Sequence, residues 1–152
     1  MKQVIINVAF LLTASLSICS AQEFSVRLID ARNGHPLPNE TVTVSFTENE
    51  RSLKLFNVKT DANGTATFQL PTPLPPDVLV RNYDLYPCYQ MTSANTQALK
   101  QSGLVSRCSK QDQECRCNFS KKASEIKANP GQIVLLARPE TVWEKIQARL
   151  WE

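Results

Sequence analysis

Between residues 24 and 70 the chain repeats one device, a short run of alternating apolar and polar residues closed by a turn signal. Phe24, Val26 and Leu28 alternate with Ser25, Arg27 and Ile29, and Val42, Val44 and Phe46 alternate with threonines and Ser45. A third alternating stretch covers 53 to 60, and Ala66, Phe68 and Leu70 share one parity of a fourth. Period two predicts strands with one buried face each, and the β-branched residues on the second run suit a half-buried pleat. Such strands bury their apolar faces only by stacking two sheets, so the pattern predicts an all-β, antiparallel β-sandwich.

The turns between the runs are chemically marked. Asn33-Gly34 with Pro36 and Pro38 predicts a loop over 31–39, and Asp61-Ala-Asn-Gly64 predicts a tight reversal that pairs the third strand antiparallel with the fourth. Pro71, Pro73, Pro75 and Pro76 exclude a central strand and predict an extended crossing. A fifth strand is expected over 78–83. Alternation then disappears from 84 to 128, which reads as an irregular insert held by cysteines. Inside it, 92–102 is rich in helix formers, with Ser93 or Asn95 as N-cap and Gly103 as the stop. Gln132 to Arg138 is a continuous apolar run that predicts a buried final strand ended by Pro139.

The N-terminus has a different character. Lys2 precedes an apolar run from Val4 to Ile18 and then small residues, the pattern of a secretory leader cut after Ala21. A membrane anchor is disfavoured because the run is short against the ~20 residues a bilayer core requires. A lipidated Cys19 is disfavoured because branched Ile18 precedes it. Cleavage leaves 131 residues, no further long apolar run and a net charge of +2, since the full chain carries 17 basic and 14 acidic residues, or +3, and Lys2 departs with the leader. That surplus is too small to imply nucleic acid. The expected location is secreted or periplasmic, with residues 1–21 as leader, 22–139 as sandwich including the 84–128 insert, and 140–152 as a C-terminal helix.

Export leaves Cys88, Cys108, Cys115 and Cys117, an even number in an oxidising compartment. Of three possible pairings, Cys88 with Cys108 is favoured, because Cys115 and Cys117 are too close together for one to pair far away without stranding the other. Their own pairing is strained and stays open. Three thiolates within ten residues do not match the paired two-residue gaps of zinc modules, so no metal is expected.

Val142, Trp143, Ile146 and Leu150 fall at helical spacing, with Glu140, Glu144, Lys145 and Arg149 elsewhere. This amphipathic helix is expected to fold back over an edge or groove of the sandwich. The alternative is docking to a partner or a membrane, and exposure of Trp143 separates the two. The only His, His35, lies between Gly34 and Pro36 with no nucleophile elbow nearby, so it reads as a turn residue and no catalytic residue or cofactor is expected. Tyr83, Tyr86 and Tyr89 recur every three residues around Pro87. They either pack beneath the insert or form a stacking platform for a sugar ring. The basic stretch from Arg107 to Lys127 is interleaved with Asp112, Glu114 and Glu125, as on an ordinary solvated face.

Taken together, Val26 to Asn39, Thr41 to Val44 and Lys59 to Phe68, with the pattern D, turn, G-x-P-L, strand, T-D-x-x-G-x-A-x-F, resemble the carboxypeptidase regulatory-like domain. That family has a transthyretin-like (prealbumin-like) sandwich related to Ig-like folds. Asp84 to Cys88, Gly103 to Val105, Cys108 and Pro130 to Val134 are similar to its small secreted members of acidobacterial type, in which a Cys at each of positions 88 and 108 is implied. The resemblance carries no peptidase or hydroxyisourate hydrolase activity here, because both need more His than the single His35. What it implies is a non-catalytic exported domain acting on an envelope or extracellular protein, or on a surface; the alternative is a carbohydrate-binding module using Tyr83, Tyr86 and Tyr89.

Overall fold

The computed structural model describes residues 22–49, 52–82, 85–88, 93–106, 119–144 and 146. Nine strands, two short helices and a further helical stretch at 142–144 and 146 are present among them. The strands are β1 (Gln22–Asp30), β2 (Thr41–Asn49), β3 (Ser52–Lys59), β4 (Thr65–Leu70), β5 (Asp77–Arg81), β6 (Leu85–Pro87), β7 (Ala94–Asn95), β8 (Leu104–Ser106) and β9 (Gln132–Pro139). The helices are α1 (Thr96–Ser102) and α2 (Lys121–Ser124). They build two sheets, one ordered β4-β1-β9 and continued by β6 and β8, the other ordered β3-β2-β5-β7. The two-layer expectation therefore holds.

The inner faces follow the alternation. Phe24, Val26 and Leu28 of β1 meet Val42, Val44 and Phe46 of β2, with Phe68 and Leu70 of β4 and Ile133 and Leu135 of β9 in the same core. Helix α1 starts and stops where the sequence marks it. The Asn95 side chain accepts from the Ala98 N–H at 3.0 Å, and Gly103 closes the helix by donating to the Leu99 carbonyl at 2.9 Å.

Four details differ from the sequence expectations. First, β4 pairs with β1 and not with β3. The Asp61–Gly64 turn passes the chain from one sheet to the other instead of closing a hairpin. Its Asp61 carboxylate accepts from the N–H groups of Asn63 and Thr65 at 2.8 and 2.9 Å, while the Gly64 carbonyl accepts from Leu28 N–H at 2.8 Å and so hands β4 to β1. Gly64 has φ +70°, and a Cβ there would sit 2.7 Å from the Leu28 carbonyl oxygen and 2.9 Å from the Leu37 nitrogen. Only glycine fits that approach.

Second, the sandwich is not wholly antiparallel, because β1 and β8 both run parallel to β9. Ala137 pairs with Asp30 of β1 and with Pro87 of β6, so β6 lies on the edge of β9 opposite β1. β8 occupies the same edge nearer the start of β9, through Leu104 to Ser106 against Ile133 to Leu135. Third, the 84–128 segment is less irregular than expected, since its described residues include β6, β7, β8 and both helices. Asn82 pins its entry, donating to the Thr41 carbonyl at 2.7 Å and accepting from Leu85 N–H at 2.8 Å.

Fourth, Ile29 is not a solvent-facing partner of the alternation. It is fully buried on the outer face of the first sheet with Ala31, Cys88, Ala123, Val134 and Leu136, against which Phe119, Ile126 and Ala128 also pack. The 119–128 segment thus forms a third layer. It is tied down by Ser120 N–H donating to the Ala31 carbonyl at 2.9 Å and by the Ser120 hydroxyl accepting from Ala123 N–H. The predicted leader, 1–21, lies outside the described residues, and among those described no helix is long and apolar enough to cross a membrane.

Two substitutions check this arrangement. Leu136→Ala, in the outer core, is expected to cost about 2–5 kcal/mol in chemical denaturation, whereas Leu55→Ser, on a side chain 58% exposed, leaves stability within about 0.5 kcal/mol. Gly64→Ala is expected to lower the melting temperature, and an unchanged value would contradict the close approach at Leu28.

Candidate functional site

The most chemically constrained exposed feature lies where β9 leaves the sandwich. Arg138 donates to the Glu144 carboxylate through both terminal guanidinium nitrogens, at 2.7 Å from Nη1 to Oε2 and at a shorter contact from Nη2 to Oε1. The same carboxylate accepts from the Thr141 N–H at 2.8 Å and its hydroxyl at 2.9 Å, and Glu144 N–H donates back to the Thr141 hydroxyl at 3.3 Å. This reciprocal Thr-x-x-Glu arrangement is a capping box, which satisfies orphan donors at a helix start. Residues 142–144 and 146 are helical.

Side-chain phase follows from that anchor. At 100° per residue, Glu144 lies about 160° round the helix from both Val142 and Ile146. Holding Glu144 against Arg138 therefore turns the apolar stripe outward. Val142 is 74% exposed, Trp143 75% and Ile146 44%. The expectation that this helix folds back to cover the sandwich is overturned for these residues, because the ion pair fixes the opposite face inward. Leu150 and the rest of 147–152 lie outside the described residues. Hydrogen bonds from Arg138, with further ones from Thr141, hold the Glu144 carboxyl far below its ordinary value, down to about 2.

A second feature lies between the edge strands β3 and β4, where the two sheets part. A cleft of about 410 Å³ is lined by Phe46, Leu55, Phe56, Leu70 and Pro71, with Lys54 and Gln69. Lys54 pairs across the ladder with Phe46 and so shares the inner face of its sheet. Behind the cleft stand three ring contacts, Phe46 with Phe56, Phe56 with Phe68, and Phe68 with Phe24, with centroids 6.0 to 6.2 Å apart.

The residues singled out from sequence are distributed elsewhere. Tyr83 and Tyr89 lie outside the described residues, while Tyr86 is on β6 with its backbone opposite Arg138. Cys88 is fully buried in the outer core, and its N–H donates to the Leu136 carbonyl at 2.9 Å. Cys108, Cys115 and Cys117 lie outside the described residues. His35 is exposed; its N–H donates to the Asn33 side-chain oxygen and its carbonyl accepts from Asp30 N–H, both at 2.8 Å. Asp30 organises that turn by accepting from the Arg32 backbone, from the Arg32 guanidinium and from Asn33. Burial pushes its carboxyl up, but the hydrogen bonds and charge of Arg32 outweigh this and leave it below the ordinary value. Among the described residues no group of three His, Cys, Asp or Glu is placed to hold a metal ion.

The sequence reading missed the Arg138–Glu144 anchor, although the Thr141-x-x-Glu144 spacing signals it. It also missed the cleft, whose walls come from three strands in two sheets. No family model matches this chain, and neither a curated protein nor a solved structure matches it.

The anchor has a pH signature. Its stabilisation is complete above the unfolded Glu value near 4.5 and is lost as pH falls through about 2. Carbon NMR of the Glu144 carboxyl is expected to show one titration near the lower value; an inflection near 4.5 would mean that Arg138 does not hold it. Glu144→Gln is expected to abolish the acid-induced shift of the Thr141 amide.

Proposed function

We propose that this is a non-catalytic, exported β-sandwich of the carboxypeptidase regulatory-like type, secreted or periplasmic, that works by protein or surface interaction through the Val142, Trp143 and Ile146 stripe. The observation that carries the reading is the outward phase of that stripe, set by the Arg138 clamp on Glu144. Large apolar side chains in a monomer are ordinarily buried, and aromatic residues are enriched where partners dock. A tryptophan held three-quarters exposed next to a tethered ion pair is a docking residue already oriented before contact, which lowers the ordering cost of binding.

The favoured disulfide, Cys88 with Cys108, is part of the same proposal. Its support is topological. β8 ends at Ser106 opposite Leu135, and Cys88 bonds the carbonyl of the following residue, Leu136, so both segments run to one point on the edge of β9. Closing that loop would stabilise the fold by about 3 kcal/mol in the chain-entropy account. The glycan alternative through Tyr83, Tyr86 and Tyr89 has one support of its own. The Tyr86 backbone pairs with Arg138, five positions before Trp143 in sequence, which keeps this alternative open through Tyr86 alone.

Capture from the envelope fraction by the mature chain, compared with Trp143→Ala, tests the leading reading. The expected result is a defined set of proteins lost with the variant, and equal capture by both would reject the stripe as the docking surface. Non-reducing peptide mapping is expected to recover a linked pair containing Cys88 and Cys108. Binding on a glycan array that disappears in Tyr86→Ala would favour the carbohydrate reading instead.

A further inference from the structure

We infer that the outer face of the second sheet carries an oxyanion-binding site, built by Arg81 and Asn57 on either side of Thr43, that takes a carboxylate, sulfate or phosphate group. The inference is independent of the Trp143 stripe. Three observations carry it.

The first is an orphaned donor. The Nε of Arg81 is buried and has no hydrogen-bond partner, the one buried side-chain nitrogen or oxygen in that condition among the described residues. Buried donors are ordinarily paired, and one left unpaired on a charged group loses its hydration with nothing in return. An acceptor brought to this guanidinium removes that cost.

The second is the row in which Arg81 stands. Arg81 of β5 pairs with Thr43 of β2, and Thr43 pairs with Asn57 of β3, so the three lie abreast across about 10 Å of sheet. They face away from the core, because Val42, Val44, Val78 and Val80 take the inner parity. The Thr43 hydroxyl donates to the Asn57 side-chain oxygen at 2.7 Å. That bond turns the amide so that its Nδ2–H groups point away from Thr43 and remain available as donors. The row therefore ends in a guanidinium on one side and an amide N–H pair on the other, an inventory that receives an oxyanion and repels a cation.

The third is charge. In the paired ladder of β2, β3 and β5 the acid of this parity is Asp77, four residues before Arg81 and about 13 Å along the strand. That exceeds the screening length of about 8 Å at physiological salt. Lys59, two residues after Asn57 on the same parity, is exposed and adds a second cation. Arginine presents Nε–H and Nη–H as parallel donors that match two oxygens of one anion. Side-on capture gives Nε the acceptor it lacks, and it swings the guanidinium off the sheet, since Nε is covered in the free chain.

Heteronuclear NMR of the mature chain, titrated with sodium sulfate, sodium phosphate or sodium acetate at constant ionic strength, is the test. The Arg81 Nε–H and Asn57 Nδ2–H signals are expected to shift and saturate with a Kd of about 1 mM, the weak end of specific affinities. Saturation by any of the three salts supports the site, and the tightest of them names the group. Arg81→Lys keeps the charge but removes Nε, and Asn57→Ala removes the opposite donor at an exposed position. Each is expected to weaken binding about tenfold, the loss of one charge-assisted hydrogen bond, with circular dichroism matching the parent. Shifts that stay linear in all three anions, or binding in either variant equal to the parent's, would overturn the inference. Trp143→Ala is expected to bind as the parent does; saturation lost in that variant would place the anion at the C-terminal helix and overturn it too.

Discussion

Strand β9 is the constraint on which the rest of the molecule depends. Its residues Ile133 to Ala137 are all buried, one parity in the sandwich core and the other in the outer core. A strand buried on both faces must be covered on both. The second sheet supplies one cover, and the 119–128 segment with Cys88 supplies the other. The order in that segment is therefore a consequence of apolar side chains on the outer face of a central strand, which would otherwise meet water at about 25 cal/mol per Å².

The same strand transmits its rigidity to the surface. Arg138 is the next residue after the buried run and is itself largely covered, and it grips Glu144 through a bidentate ion pair. Charge-assisted bidentate contacts fix direction as well as distance. The capping box adds a local constraint on the first turn, so the rotational phase of the helix start is determined by groups on both sides of Pro139. Outward presentation of Trp143 is the geometric result, because a helix held by one face shows the other. The paired first and last strands also give the sandwich a polarity, with a cleft where β1 begins and an apolar stripe beyond where it ends.

Legibility from sequence differed between these levels. The strand at 24–30, the α1 caps at Asn95 and Gly103, and the buried run 132–138 could be read because each depends on residues close in the chain: period two, a side-chain oxygen beside free N–H groups, a glycine able to take positive φ. The partner of β4 could not. Asp61 to Gly64 has the composition of a hairpin turn, and whether such a turn closes a hairpin or crosses between sheets depends on Leu28 and Leu37, distant in sequence, which receive the Gly64 backbone. Ile29 was misread for a related reason. Its parity looked solvent-facing until a separate segment came to lie over it.

By itself, then, the sequence determined the strands between 22 and 70 and the last strand at 132–139, which parity of 24–28, 42–46 and 66–70 faces the sandwich core, and where helix α1 begins and ends. Those are properties of neighbours along the chain, and backbone geometry enforces them at short range. Tertiary structure alone decided that β1 and β9 lie parallel, that the first sheet has a third layer, that a cleft opens between β3 and β4, and that the Trp143 stripe faces outward. The first three arise from contacts between residues far apart in sequence, whose energies depend on what the folded chain brings together; the last arises from an ion pair spanning only six residues, Arg138 with Glu144, whose direction depends on how β9 holds Arg138 in the sheet.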